Sequence, residues 1–216
     1  MKVLVIGATG GSGRATVEEL LEGGHEVTAF SRHADAIELH STRLHLLPGD
    51  ALDPAQVEWA VAGKDAVVVA LGVHDNPLKV RLHRSKTPVD VCSRGTRNAI
   101  AAMKKHGVRK LVVLSAYGVG ETRERLPWPN RLAFALFIKD QIADKELQER
   151  EVRDSGLDWV IVQPVWLTNG GPRPETHAST TGEVARARIP RRNVGRFLAA
   201  AVEDDRCLQR SVALSS

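Results

Sequence analysis

The sequence contains few of the residues on which several classes of protein depend. Its 216 residues include two cysteines, Cys92 and Cys207, which lie far apart and form no Cys-x-x-Cys pair. This usage is typical of a reducing compartment and argues against a disulfide framework or a cysteine-bound zinc. The eight histidines are scattered, with no His-x-x-x-His pair. No metal site is therefore predicted.

Long apolar runs and basic stretches with interleaved aromatic residues are also missing. No stretch reaches the length of a membrane span, and the first residues have the pattern of a strand rather than of a signal peptide. We therefore expect a cytoplasmic protein with no membrane partner. The most basic stretch, Lys79–Lys86, contains no aromatic residue and matches no nucleic-acid motif, so it is interpreted as a solvated loop rather than a nucleic-acid interface. The net charge of +4 suits an anionic ligand.

What the sequence does contain is a regular alternation of short apolar runs and helical patterns. This alternation indicates βαβ units and a parallel sheet. We predict an α/β fold over residues 1–216, a single doubly wound Rossmann-like domain with a mainly parallel sheet of about seven strands. Among the predicted helices, one begins at Thr87-Pro88 and one extends from about Asn130 to Asp154. Ligands of such sheets bind at the carboxyl ends of the strands.

A glycine-rich turn follows the first predicted strand, Val3–Ile6, and precedes a helical pattern that ends at Glu22. A turn of this kind lets backbone N–H groups approach a pyrophosphate at the start of the helix, where the helix dipole favours anions. The strand before it and the helix after it make the motif specific. The predicted dinucleotide-binding residues of the turn are Gly7, Thr9, Gly10, Gly11, Ser12 and Gly13.

The end of the second predicted strand indicates which dinucleotide is bound. A site that prefers NAD usually has a carboxylate there, whereas this chain has Ser31-Arg32-His33. A guanidinium and a hydroxyl suit a 2′-phosphate. Arg14, directly after the glycine turn, is predicted to add a second positive charge. The predicted cofactor is therefore NADP(H), with the alternative that Arg32 is an ordinary surface arginine.

The Gly-x-x-Gly-x-x-Gly spacing, with Thr9 inside it, resembles the atypical branch of the short-chain dehydrogenase/reductase superfamily. Later motifs extend the resemblance to the NmrA-like set and, within it, to the biliverdin IX-beta reductase/flavin reductase group. These motifs are Gly95–Val108, Ser155-Gly156-Leu157, Gln163-Pro164 and Arg188–Phe197.

The resemblance implies roles for residues at the ends of the later strands. Asp50 and Ala51 would contact the adenine, and Leu71, Gly72 and Val73 would lie near the ribose on the nicotinamide side. Ser115 would lie beside the nicotinamide, able to bond its carboxamide or the acceptor, and Pro164, followed by Val165, would pass close to the nicotinamide. The alternatives are local: Asp50 as a turn former, Ser115 as a backbone cap and Pro164 as the end of a strand.

The resemblance also identifies a missing catalytic group. Typical members of the superfamily use a Tyr-x-x-x-Lys pair whose phenol protonates a carbonyl. Here the lysine aligns with Lys145, while the tyrosine position is occupied by Gln141. The only tyrosine of the chain, Tyr117, could reach the site from the loop after Ser115. The catalytic candidates are therefore Ser115, Tyr117 and Lys145.

Without the phenol, reduction of an ordinary ketone is disfavoured, whereas a conjugated acceptor can stabilise the added charge itself. We predict an NADPH-dependent reductase of a flat conjugated small molecule such as a flavin, a quinone or a bilin. The alternative is a non-catalytic NADP-binding redox sensor or regulator. The segments predicted to border the substrate site, here called the substrate lips, are 73–87, 118–130 and 166–190. On these lips, Trp128 and Trp166 either stack on the acceptor or pack against neighbouring side chains. A monomer or weak homo-oligomer is expected.

Overall fold

The computed structural model describes residues 1–73, 87–126 and 139–216. The predicted start of a helix at Asn130, the basic stretch 79–86 and Trp128 lie outside the described residues, as do parts of the first two predicted lips. The strands are β1 (Lys2–Ile6), β2 (Glu26–Ser31), β3 (Leu44–Pro48), β4 (Ala66–Val69), β5 (Lys110–Leu114), β6 (Asp158–Pro164), β7 (Trp166–Thr168), β8 (His177–Ser179), β9 (Arg188–Pro190) and β10 (Arg210–Ser215). The α-helices of this part of the chain are α1 (Gly11–Glu22), α2 (Pro54–Val61), α3 (Val91–His106), α4 (Lys139–Arg153) and α5 (Arg191–Glu203).

The main sheet confirms the α/β, doubly wound fold. Its eight strands follow the order β3-β2-β1-β4-β5-β6-β10-β8. All neighbours are parallel except β8, which pairs antiparallel with β10. The sheet has one strand more than the number predicted, because β8 is only three residues long and carries no periodic signal. Two further short strands, β7 and β9, form a separate parallel pair that was not predicted either.

Alternation along β1 divides the core into two layers. Val3 and Val5 belong to the apolar cluster that also contains Val17 of α1 and Leu198 of α5. The intervening residues of β1 face the opposite cluster, which contains residues of α2, α3 and α4. The strand is thus buried on both faces, as expected for a parallel sheet covered by helices.

Local residues mark one end of each of two helices. The Asp53 carboxylate accepts hydrogen bonds from the N–H groups of Ala55 and Gln56, and therefore caps the start of α2. Gly107 ends α3 with a φ of +71°, in the left-handed region that favours glycine. The start of α3 was predicted too early, since Thr87 and Pro88 precede the helix, which begins at Val91.

The strand order reverses between β1 and β4, and this reversal opens a crevice at their carboxyl ends. Connections after β1 run toward β2 and β3, whereas those after β4 run toward β5 and β6. Gly7 follows β1 and Ala70 follows β4, so both lie at this switch point. Ligands of doubly wound sheets bind there.

Candidate functional site

The glycine turn allows a very close approach of backbone to backbone. Gly7 has a φ of +87°, and a Cβ added there would lie 2.6 Å from the carbonyl oxygen of Ala70. A Cβ on Gly13 would lie 2.2 Å from the carbonyl oxygen of Gly7. Helix α1 begins at Gly11 without a side-chain cap on its first N–H groups. Those donors therefore face the crevice and can bind an anion.

Substituting Gly13 with alanine is expected to lower the free energy of unfolding by about 2 kcal/mol, because backbone must move to admit the new Cβ. We also expect weaker NADPH binding, since the start of α1 shifts. Thermal or urea unfolding, together with titration of NADPH, measures both effects.

Gly11→Ala is the matched control for this prediction. There the nearest atom to an added Cβ, at 2.6 Å, is Cδ of the Arg191 side chain, which can move. An equal loss of stability in both variants would show that close packing against Gly7 is not the cause.

Two cavities adjoin each other along this crevice. The first, here called the Arg32 cavity, has a volume of about 370 Å³ and lies at the ends of β1, β2, β3 and β4. It brings together nine of the predicted cofactor-binding residues, namely Gly7, Thr9, Gly10, Ser31, Arg32, Asp50, Ala51, Leu71 and Gly72. Its size falls within the range of small-molecule sites.

Polar groups in the Arg32 cavity fit a phosphate-bearing ligand. The Oγ atom of Ser31 is buried and has no hydrogen-bond partner in the described part of the chain. The Arg32 guanidinium is exposed and donates to Oγ1 of Thr87 at 3.1 Å, with no carboxylate within ion-pair distance among the described residues. Asp50 accepts a hydrogen bond from the N–H of Leu52, so it also shapes the turn. An unpaired hydroxyl beside a guanidinium is an appropriate setting for an anionic oxygen.

The second cavity, here called the Ser115 cavity, has a volume of about 430 Å³ and lies at the ends of β1, β4 and β5. It shares Gly10, Ala70, Leu71 and Gly72 with the Arg32 cavity. The other predicted residues that line it are Gly11, Ser12, Val73, Ser115 and Lys145. The two cavities therefore offer neighbouring sites on either side of the glycine turn.

Two of the three catalytic candidates meet in the Ser115 cavity. Ser115 is buried, and its hydroxyl donates to Oε1 of Glu149 at 2.5 Å. The Lys145 ammonium donates to the carbonyl oxygen of Leu114 at 3.1 Å and to Oε1 of Gln148 at 3.4 Å. Lys145 is thus held against the end of β5, next to Ser115.

The structure does not bring Tyr117 to either cavity. Its hydroxyl donates to the carbonyl oxygen of Gly182 at 3.1 Å, and its ring packs on the core. Burial raises the pKa of the phenol. Tyr117 therefore contacts Gly182 and lines neither of the two cavities.

Other predicted cofactor residues also lie away from the two cavities. Pro164 and Val165 line neither, because the N–H of Val165 donates to the carbonyl oxygen of Leu214 and its side chain enters the core. Leu167 lines the Ser115 cavity instead. Arg14 pairs with Glu18 at 3.3 Å and lines a separate cleft, so it adds no charge to the Arg32 cavity.

Several residues of the Ser115 cavity were not predicted as functional. Asp144 accepts hydrogen bonds from the N–H groups of Cys92 and Ser93, and so caps α3 from a distance of 52 positions along the chain. Burial raises the pKa of the Cys92 thiol, which is therefore protonated at neutral pH. Gln141 lines the cavity one helical turn before Lys145. Only Gln141 had a signal in the sequence, as the residue at the expected tyrosine position.

Arg191 is a further residue of this cavity that was not predicted as functional. Its side chain packs on Gly11, and its guanidinium donates to Oδ1 of Asn169 at 2.5 Å. Within the described ranges it has no carboxylate partner, whereas the next residue, Arg192, pairs with three glutamates of α1. A positive charge without a carboxylate partner therefore lies beside the start of α1.

A family model described as NAD(P)H-binding matches residues 7–205. The chain belongs to this family. The match begins at Gly7 and extends beyond α5, so it includes every residue of both cavities except Ile6.

Curated relatives of this NAD(P)H-binding protein are partly similar to it in sequence. An uncharacterised chloroplastic protein of Arabidopsis thaliana is 31% identical over 177 residues, which cover 79% of the chain and 61% of the relative. A 2-alkyl-3-oxoalkanoate reductase of Stenotrophomonas maltophilia is 37% identical over 125 residues, 55% of the chain and 34% of that enzyme. The aligned regions thus amount to between about a third and three fifths of these relatives.

Solved structures share the fold of this NAD(P)H-binding protein at low identity. The oxidoreductase ylbE of Lactococcus lactis superposes with a TM-score of 0.82 at 18% identity, and the match covers 100% of this chain and 91% of the ylbE chain. ChuY of Escherichia coli O157:H7, described as an anaerobilin reductase, gives a TM-score of 0.80 at 22% identity, and the match covers 100% of this chain and 97% of the ChuY chain. A short-chain dehydrogenase/reductase of Veillonella parvula in complex with NADP gives a TM-score of 0.79 at 16% identity, and the match covers 100% of this chain and 94% of that structure's chain.

Among the residues that the structure describes, every helix is too short or too polar to span a lipid bilayer.

Proposed function

We propose that this protein is an NADPH-dependent reductase that passes hydride to a flat, conjugated small molecule. The observation that carries the proposal is the make-up of the Ser115 cavity. Its described lining contains Ser115, Lys145 and Gln141 but no tyrosine and no histidine. Such a lining can hold a cofactor and an acceptor, but it offers no phenol or imidazole to protonate a carbonyl.

The Arg32 cavity supports NADPH as the cofactor. Its glycine turn would hold the diphosphate, and Arg191 would bring a further positive charge to the same place. Arg32 and the hydroxyl of Ser31, which has no partner within the described ranges, would bind the 2′-phosphate, while Asp50 and Ala51 would enclose the adenine. A carboxylate at the Arg32 position would repel that phosphate.

The Ser115 cavity would then receive the nicotinamide and the acceptor. The bound cofactor supplies a hydride, and the protein orients the two partners. Lys145 fits a role in binding a ribose hydroxyl, because its ammonium lies at the end of β5 on the cavity wall. An acceptor with an extended π-system takes up the added charge, and solvent can supply its proton.

The known activities among the similar proteins agree with a reductase. One curated relative is a 2-alkyl-3-oxoalkanoate reductase, and one structural neighbour is described as an anaerobilin reductase. The exposed Trp166, on the predicted third lip, offers a flat face to such an acceptor.

NADPH consumption against a panel of acceptors tests this proposal. We expect turnover with at least one of FMN, a quinone or biliverdin, and little turnover with simple aldehydes. Tight NADPH binding without turnover on any acceptor would contradict the reductase and favour an NADP-binding sensor. Preferential turnover of simple aldehydes would show that another group supplies the proton.

A further inference from the structure

A fully buried carboxylate lies behind the Ser115 cavity. Glu149 of α4 has no exposed side-chain surface. Its Oε1 accepts hydrogen bonds from the hydroxyl of Ser115 at 2.5 Å and from Nε2 of Gln163 at 2.8 Å. Its Oε2 accepts from the Arg153 guanidinium at 2.9 Å. Neither the cofactor motif nor the catalytic candidates account for this group.

Two of the described partners of Glu149, the Gln163 amide NH₂ and the Arg153 guanidinium, can only donate, so the carboxyl oxygens act as acceptors and the Ser115 hydroxyl donates to Oε1. A charged acceptor in a buried site holds its donors strongly, because an unpaired buried charge is costly. Gln163 Nε2 also donates to the carbonyl oxygen of Val119, so the network is anchored on two sides. The Ser115 hydroxyl is therefore fixed in direction.

This fixed direction determines what Ser115 can offer to the cavity. A serine hydroxyl has one proton and two lone pairs. The proton of Ser115 points to Glu149, and the structure gives its oxygen no other donor among the described residues. Since Ser115 lines the cavity, the lone pairs of its oxygen are the part available to a ligand.

We propose that Glu149 is a positioning residue that makes Ser115 a hydrogen-bond acceptor, and that Ser115 binds the carboxamide N–H of the nicotinamide. This inference rests on the proposed placement of the nicotinamide in the Ser115 cavity. It assigns Ser115 to orienting the cofactor rather than to protonating the acceptor. It also selects one orientation of the carboxamide, because the carbonyl oxygen of that group finds no donor in Ser115.

Calorimetric titration with NADP⁺ and with its 3-acetylpyridine analogue tests the inference. The analogue keeps the carbonyl oxygen but has a methyl group in place of the amide NH₂. An accepting serine gives NADP⁺ an advantage of about fivefold, the size of one net hydrogen bond. A donating serine bonds the carbonyl that both ligands share and gives no advantage.

Single substitutions separate the contribution of Glu149 to this affinity ratio from that of Ser115. Ser115→Ala is expected to bring the affinity ratio close to one. Glu149→Met, which keeps the volume but cannot accept the proton, is expected to do the same, because the Ser115 hydroxyl is then free to rotate. Glu149→Gln is expected to retain the ratio, since its amide oxygen can accept. Glu146→Ala is the control, because Glu146 lies on the same helix as Glu149 but pairs with Arg123 and lines neither cavity.

Two outcomes overturn the inference: equal affinities in the wild type, or a wild-type ratio that Glu149→Met leaves unchanged. Should Glu149→Met fail to fold, the wild-type ratio and its loss in Ser115→Ala still decide whether Ser115 accepts, and a ratio that Glu149→Gln abolishes would contradict the role given to the Glu149 oxygen. If the wild-type protein bound no NADP⁺ at all, that result would instead contradict the proposed function. The two failures are therefore distinguishable.

Discussion

Replacing Gln141 with tyrosine is expected to increase NADPH-dependent reduction of a simple aldehyde by about 100-fold, the lower end of what a general acid contributes. Gln141 lines the Ser115 cavity one turn of α4 before Lys145. A phenol there would share one helix face with the ammonium, which lowers the pKa of a neighbouring phenol. The amide of glutamine can donate a hydrogen bond but cannot transfer a proton.

Gln141→Phe is the matched control, because it adds the ring without the hydroxyl. The gain should appear in Gln141→Tyr only, and it should be lost in Gln141→Tyr/Lys145→Ala. Initial rates with and without aldehyde, at equal saturation with NADPH, measure the effect. If the tyrosine variant folds and binds NADPH but gains nothing, proton supply is not what restricts the acceptor.

Arg32 is expected to give NADPH an advantage over NADH in binding affinity of at least about tenfold, in keeping with a charge-assisted contact to the 2′-phosphate. Arg32 lines the Arg32 cavity together with Ser31, whose hydroxyl has no partner among the residues that the structure describes. Arg32→Ala should remove most of the preference by weakening NADPH binding and leaving NADH binding nearly unchanged. Titration of cofactor fluorescence gives both dissociation constants.

Arg14→Ala provides the control for this second expectation. Arg14 carries the same charge close to the glycine turn, but it pairs with Glu18 and lines a different cleft. Its substitution should leave the NADPH-to-NADH ratio unchanged. Equal wild-type affinities for the two cofactors would contradict the role given to Arg32. An equal effect of both substitutions would point to net charge rather than to a specific contact.

The fold could be predicted from the sequence because its signals are local. Short, nearly continuous apolar runs identify β1, β4, β5 and β6 as strands of a parallel sheet, and the glycine turn after β1 needs no distant partner to be recognised. The same local patterns missed β7, β8 and β9, which are three residues long and are defined by their partners rather than by their own periodicity.

The sequence by itself determined the βαβ order, the glycine turn, the arginine after β2 and the absence of a tyrosine before Lys145. Only the tertiary structure decided which side chains meet. It pairs Ser115 with Glu149, 34 positions away, caps α3 with Asp144 and turns Tyr117 toward Gly182. The physical reason is the separation along the chain over which each effect acts. Dihedral preferences and periodicity act over a few residues, whereas a buried polar group takes its partner from whichever element packs against it.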